Sequence, residues 1–232
     1  DTDHGEGFWS DHWTYNLDLL ENYLALYPEN EYSLLFEKKD FTFYDNAHRV
    51  QPRDEKYVLW DGNAMQLNAV VLDAEKAELI SSRDNNPNQV RTAFGQGEIY
   101  RTTLACKILS LIVNKLASLD AAGVGVEMES DKPNWYDALN GLPGVLGSSI
   151  SETLEIKRNV LFLQKLLDVH GSKNNLWPVF EEMGRFFDTL NSLLCAELSP
   201  FDFWDKATTA KEEFRAQNKL GISGIETNIP VE

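Results

Sequence analysis

An almost wholly apolar helical segment is the feature that most constrains the fold, because the rest of the chain must cover it. Between residues 97 and 119 the middle turns have almost no polar face. Their apolar residues are Leu104, Ile108, Leu109, Leu111, Ile112, Val113 and Leu116. A helix of this composition is buried on most of its sides. The segment therefore predicts a central helix enclosed by other helices, which fits the inner ring of a helical barrel and the core of any bundle equally well.

Helical periodicity and capping signals predict the helices that would enclose it. They are expected over residues 11–26, 150–171, 177–194 and 200–219. Ser149 and Glu152 form a capping-box pattern, and Ser199 followed by Pro200 is an N-cap with proline in the first helical position. We expect a mainly α fold.

The signal changes between residues 41 and 80. Short aromatic or β-branched runs lie at residues 41–44, 56–60 and 66–71. Asp61 and Gly62 form a hairpin-type turn between the last two runs. We expect a small β-rich insertion at about residues 41–80 within one domain.

Charge and cysteine content exclude several classes of function. A net charge of −16 opposes nucleic-acid binding, and no apolar run approaches the roughly 20 residues that span a bilayer. Four His and two Cys without ligand-like spacing predict no metal site. Cys106 and Cys195 lie in apolar helical sequence, which predicts buried, reduced thiols and a cytoplasmic location.

Residues 127–144 have the composition of a binding site. They contain four acids, Trp135, Tyr136 and Asn140 in a stretch too rich in Pro and Gly for a helix interior. Aromatic rings stack on sugar faces, and carboxylates bind hydroxyl groups or donate a proton to a glycosidic oxygen. Glu127 and Glu129 alternate along an extended segment, so only one of them faces the same pocket as Asp137, and we assign Glu129. An acidic surface loop is the alternative.

The run from Trp135 to Asn140, Trp-Tyr-Asp-Ala-Leu-Asn, resembles the Trp-(Asn/Asp)-Asp-x-Leu-Asn element of the cellobiose phosphorylase-like family. These are inverting glycoside phosphorylases with a barrel of six α/α hairpins. The resemblance implies that Asp137 is the general acid and that Trp135 and Asn140 shape its pocket. Tyr136 departs from the family pattern.

A second segment, residues 7–20, is similar to the family's Gly-(aromatic)-Arg-Asp-x-x-Gln-Asp stretch. Asp11 then corresponds to an aspartate that binds sugar hydroxyls, although Ser10 replaces the arginine. The chemistry of Trp9, His12 and Trp13 adds them as candidate substrate-binding residues. Core packing is the alternative for Trp9 and Trp13, which lie four residues apart on one helical face.

The resemblance implies that residues 1–232 are a fragment of one α/α-barrel catalytic domain, inactive on its own. It would phosphorolyse β-linked gluco-oligosaccharides, with inorganic phosphate as co-substrate and no cofactor, and it leaves a homodimer of the full-length protein open. An inverting glycoside hydrolase and a non-catalytic, carbohydrate-binding helical scaffold remain the alternatives.

Overall fold

The computed structural model describes residues 11–128, 147–170 and 176–230. Helices predominate, which confirms the mainly α expectation. They are α1 (Asp11–Leu26), α2 (Arg53–Lys56), α3 (Ala74–Ser81), α4 (Leu104–Leu116), α5 (Ile150–His170), α6 (Glu181–Leu194) and α7 (Pro200–Gln217). The strands are β1 (His48–Val50), β2 (Tyr57–Trp60), β3 (Asn63–Gln66), β4 (Val70–Leu72), β5 (Val126–Glu127), β6 (Ser148–Ser149), β7 (Leu176–Phe180) and β8 (Glu226–Pro230).

Helix α4 is the central helix that its composition predicts. It packs against α5, α6 and a π-helical turn at Ser33–Glu37. The helix is shorter than expected at its N-terminus, because the side chain of Thr103 accepts a hydrogen bond from the amide of Cys106 at 3.2 Å and caps it. Just before this cap, Thr102 forms a β-bridge with Phe41, so the chain is extended there.

The predicted β-rich insertion contains two antiparallel pairs. β1 pairs with β4, and β2 pairs with β3. The β2–β3 hairpin turns at Asp61 and Gly62, whose φ angles of 49° and 78° are those of the predicted turn type. Helix α3 was not predicted; Asp73 caps it by accepting from the amide of Lys76 at 3.1 Å.

Helices α1 and α5 begin near their predicted residues and contact each other. The guanidinium of Arg158 on α5 donates to Asp18 and Glu21 on α1. Arg158 reads from sequence as an ordinary solvated helix charge, and the structure corrects this. Arg158 joins α5 to α1, because its two partners lie 140 and 137 residues away from it in the sequence.

The expected helix over residues 177–194 is wrong in its first turn. Residues 176–180 form β7, which pairs antiparallel with β8, and α6 begins only at Glu181. Trp177 is buried on this strand. Residues 221–227 have loop character in the sequence, but residues 226–230 form β8 and pair with β7.

The two cysteines have different surroundings. Cys106 is buried, as expected, and burial raises the pKa of its thiol despite hydrogen bonds to Thr102 and Ser110. Cys195 follows the end of α6 and is exposed, so its predicted burial is wrong. Within the described ranges, none of the helices has the length and apolar character needed to cross a membrane.

Candidate functional site at the β5–β6 pair

A two-residue strand pair brings together the two ends of residues 129–146, which contain the run from Trp135 to Asn140 and which we name the Trp-Tyr-Asp segment. Val126 pairs with Ser149 and Glu127 with Ser148. Beyond the pair, the amide of Met128 donates to the carbonyl of Gly147 at 2.8 Å. Residues 126–128 and 147–149, which flank residues 129–146, therefore lie side by side. We name this place the β5–β6 end.

Asp120 fixes the loop that leads into β5 and ties it to β6. Its carboxylate accepts from the amides of Ala122 at 2.7 Å and Gly125 at 2.8 Å, and from the hydroxyl of Ser148. Burial opposes ionisation of this carboxyl, but these hydrogen bonds outweigh it and lower the pKa of Asp120 below its ordinary value. The residue is thus a charged anchor for the β5–β6 end.

Glu127 is the central carboxylate of the site. Its Oε1 accepts from the hydroxyl of Tyr57 and from Nε2 of Gln66, the latter at 3.1 Å. Its Oε2 lies 3.4 Å from the indole nitrogen of Trp204 on α7. Gln66 also donates to the carbonyl of Met128 at 3.0 Å and is fully buried. The hairpin, α7 and β5 therefore converge on one carboxylate.

Aromatic rings form one wall beside Glu127. The rings of Tyr57 and Trp204 meet edge to face with centroids 6.2 Å apart, and Phe201 lies 5.5 Å from Trp204. Phe201 is 59% exposed, so this wall reaches the surface. The guanidinium of Arg53 lies 5.4 Å from the centroid of Trp204 and is held by Glu212. A carboxylate beside exposed aromatic surface matches the chemistry of a sugar-binding site.

Trp13 lies on another side of the β5–β6 end. The ammonium of Lys115 is 4.3 Å from the centroid of the Trp13 ring and 2.9 Å from a carboxylate oxygen of Glu152. Glu152 is in the first turn of α5, and its amide donates to Ser149 at 3.3 Å. This half of the predicted capping box is confirmed, whereas the side chain of Glu152 pairs with Lys115. The start of α1 and the β5–β6 pair thus lie near the C-terminal end of α4 and the N-terminal end of α5.

Several predicted site residues lie outside the described part of the chain: Trp9, Glu129, Trp135, Asp137 and Asn140. Asp11 and His12 belong to the first turn of α1, but their side chains are not described. Trp13 is half-buried under Lys115, and its role in sugar binding stays a prediction.

Sequence reasoning did not identify Tyr57, Gln66 and Trp204 as the partners of Glu127. Its assignment of Glu129 to the pocket stays a prediction, because Glu129 lies outside the described residues. The partners of Glu127 are 61 to 77 residues away in the sequence. No local spacing links them. The alternation of Glu127 and Glu129 was the available signal, because it indicates two carboxylates with different surroundings.

No metal or family assignment emerges at this site. Across residues 11–128, 147–170 and 176–230, no three His, Cys, Asp or Glu side chains are grouped to hold a metal ion. Neither the models of known protein families nor the curated proteins give a match to this chain.

Proposed function

We propose that this chain is part of an inverting glycoside phosphorylase that acts on β-linked gluco-oligosaccharides. In this proposal the described helices belong to an (α/α) six-hairpin barrel, and its sugar-binding end is the β5–β6 end. The observation that carries the proposal is Glu127, held by a phenol, an amide and an indole where the Trp-Tyr-Asp segment begins. The resemblance of residues 135–140 supplies the reaction type.

The proposed chemistry requires one protein carboxylate to protonate the leaving oxygen. Asp137 acts as this general acid, while inorganic phosphate attacks the anomeric carbon from the opposite face of the sugar ring. The glycosidic bond breaks, a bond to phosphate oxygen forms, and the anomeric configuration inverts. Trp135 and Asn140 shape the pocket of the acid, and Trp9, Asp11, His12, Trp13 and Glu129 are the further proposed contacts to the sugar.

Phosphorolysis and hydrolysis differ in the number of protein carboxylates that they need, and Glu127 is one candidate for the second. An inverting hydrolase needs a second carboxylate, about 6.5–9.5 Å from the acid, that takes a proton from water. Both oxygens of Glu127 already accept hydrogen bonds from protein donors. The carboxylate is therefore held by the protein on both oxygens. We therefore assign Glu127 to organising the site; in a hydrolase the base would be Asp11 or Glu129.

Replacing Glu127 with Gln tests this role. Gln keeps one carbonyl oxygen, which can still accept from Tyr57 and Gln66, but its amide nitrogen then faces the indole N–H of Trp204, donor against donor, and the negative charge is lost. We expect the affinity for cellotetraose, measured by calorimetric titration, to fall about tenfold, the equivalent of one charge-assisted hydrogen bond.

Glu78→Gln is the matched control, since Glu78 is exposed on α3. It should bind cellotetraose with wild-type affinity. Unchanged binding by Glu127→Gln, or an equal loss in both variants, would argue against a sugar site at the β5–β6 end.

A further inference from the structure

One arginine of the β-rich insertion binds three successive turns of α7. Nη1 of Arg53 donates to a carboxylate oxygen of Asp205 at 2.5 Å, and Nη2 donates to the hydroxyl of Thr209 at 2.6 Å. Nε lies 3.3 Å from the carboxylate of Glu212, which also accepts from the amide of Arg53 at 2.7 Å. The three partners are four and three residues apart, so they share one face of α7. Arg53 thus fixes the start of α2 against this face.

The same guanidinium lies over Trp204, whose indole contacts Glu127. Its central carbon is 5.4 Å from the centroid of the ring, which is within the range of a cation–π contact. Lys56, at the other end of α2, is buried with its ammonium 5.2 Å from the centroid of Tyr57. One helical turn therefore places a cation over each of the two aromatic rings that donate to Glu127.

The indole of Trp204 needs support from its neighbours to stay against Glu127. Its Nε1 lies 3.4 Å from Oε2 of Glu127, which exceeds the usual N–H···O distance of about 2.7–3.2 Å. A hydrogen bond of this length fixes a ring only weakly. The rings of Tyr57 and Phe201 and the guanidinium of Arg53 pack against the indole. Phe201 is exposed, whereas Arg53 is itself held by two carboxylates, so the arginine is the more constrained of these two supports.

We propose that Arg53 is a positioning residue of the site at the β5–β6 end: it holds the indole of Trp204 against Glu127 and influences sugar binding through that contact. The sugar-binding part of this inference rests on the proposed function. The position of the indole does not, and it can be measured separately.

Hydrogen exchange of the Trp204 indole tests its position in the absence of sugar. In isotope-labelled protein studied by NMR, the indole signal of Trp204 is the one that Trp204→Phe removes. We expect its N–H to exchange with solvent about fivefold faster in Arg53→Met, the equivalent of a weak hydrogen bond. Glu127→Gln, which removes the acceptor, should accelerate the same signal. The indole of Trp177, buried on β7, should keep its wild-type rate in both variants.

Sugar affinity then tests whether the arginine acts through the indole. Calorimetric titration should show that Arg53→Met binds cellotetraose about fivefold more weakly than wild type. In a Trp204→Phe background the same substitution should add little further loss, because the indole through which Arg53 acts is already absent. Independent contributions of the two residues would instead give additive losses.

Arg49→Met is the matched control. Arg49 lies on β1 of the same insertion and also pairs with a carboxylate, that of Asp73 at 3.2 Å. Its replacement removes the same charge and should leave the Trp204 exchange rate and the cellotetraose affinity at wild-type values. If Arg53→Met does not fold, Arg53→Lys takes its place with the same expected directions, because lysine keeps the charge but not the planar guanidinium.

Three results would overturn the proposal: a wild-type exchange rate at Trp204 in Arg53→Met, an equal acceleration in Arg49→Met, or additive losses of affinity in the Trp204→Phe background. If the wild-type chain does not bind cellotetraose, the proposed function fails, while the exchange rates still decide whether Arg53 holds the indole.

Discussion

Replacing Asp137 with Asn in the full-length protein should reduce phosphorolysis of cello-oligosaccharides by roughly 10²–10⁴-fold. The asparagine has no proton to donate to the glycosidic oxygen, so the leaving group departs as an unstable alkoxide. Binding should remain, because an amide of nearly the same shape fills the same space. Steady-state rates and calorimetric affinities, measured on the same preparation, separate these two effects.

Two controls make this prediction specific to proton donation. Asp131→Asn removes an acid from the same segment and should keep turnover within a few-fold of wild type. A glycosyl fluoride, whose leaving group needs no protonation, should react in Asp137→Asn with a much smaller loss. If Asp137→Asn retains most of its activity on the natural oligosaccharide, the assignment of the general acid fails.

Leu166→Ala should lower the free energy of unfolding by about 2–5 kcal/mol. Leu166 is 2% exposed on α5 and belongs to the core cluster around α4. Truncation removes buried apolar surface and leaves a cavity that the surrounding helices fill only in part. Urea denaturation followed by circular dichroism gives the difference from wild type.

The same helix offers the matched control. Leu161, five residues earlier on α5, is 53% exposed, so Leu161→Ala should change stability by no more than about 0.5 kcal/mol. Similar losses in the two variants would contradict the burial of one face of α5 against α4.

The helices that could be predicted are those whose signals are local. The apolar face of α1 and the cap that Ser199 gives to α7 are contained within a few neighbouring residues. Strand β7 could not be predicted in this way. Trp177 and Phe180 have helical spacing, and only pairing with β8, about 50 residues away, makes them extended.

The candidate site also has one part that local sequence predicts and one part that it does not. The composition of residues 127–144 identified a region rich in acids and aromatic residues, and Glu127 lies at its first position. Tyr57 and Trp204 come from a hairpin and a helix on either side of it in the sequence. Their contact with Glu127 depends on tertiary packing, so no spacing in the sequence signals it.

Product analysis with and without inorganic phosphate tests the central claim most directly. The full-length protein, incubated with cellotetraose and phosphate, should release α-glucose 1-phosphate, detected by phosphorus NMR, and should release almost no sugar when phosphate is omitted. Release of reducing sugar at the same rate in the absence of phosphate would contradict phosphorolysis and identify a hydrolase. Cellotetraose bound but never cleaved under either condition would contradict the enzymatic proposal itself.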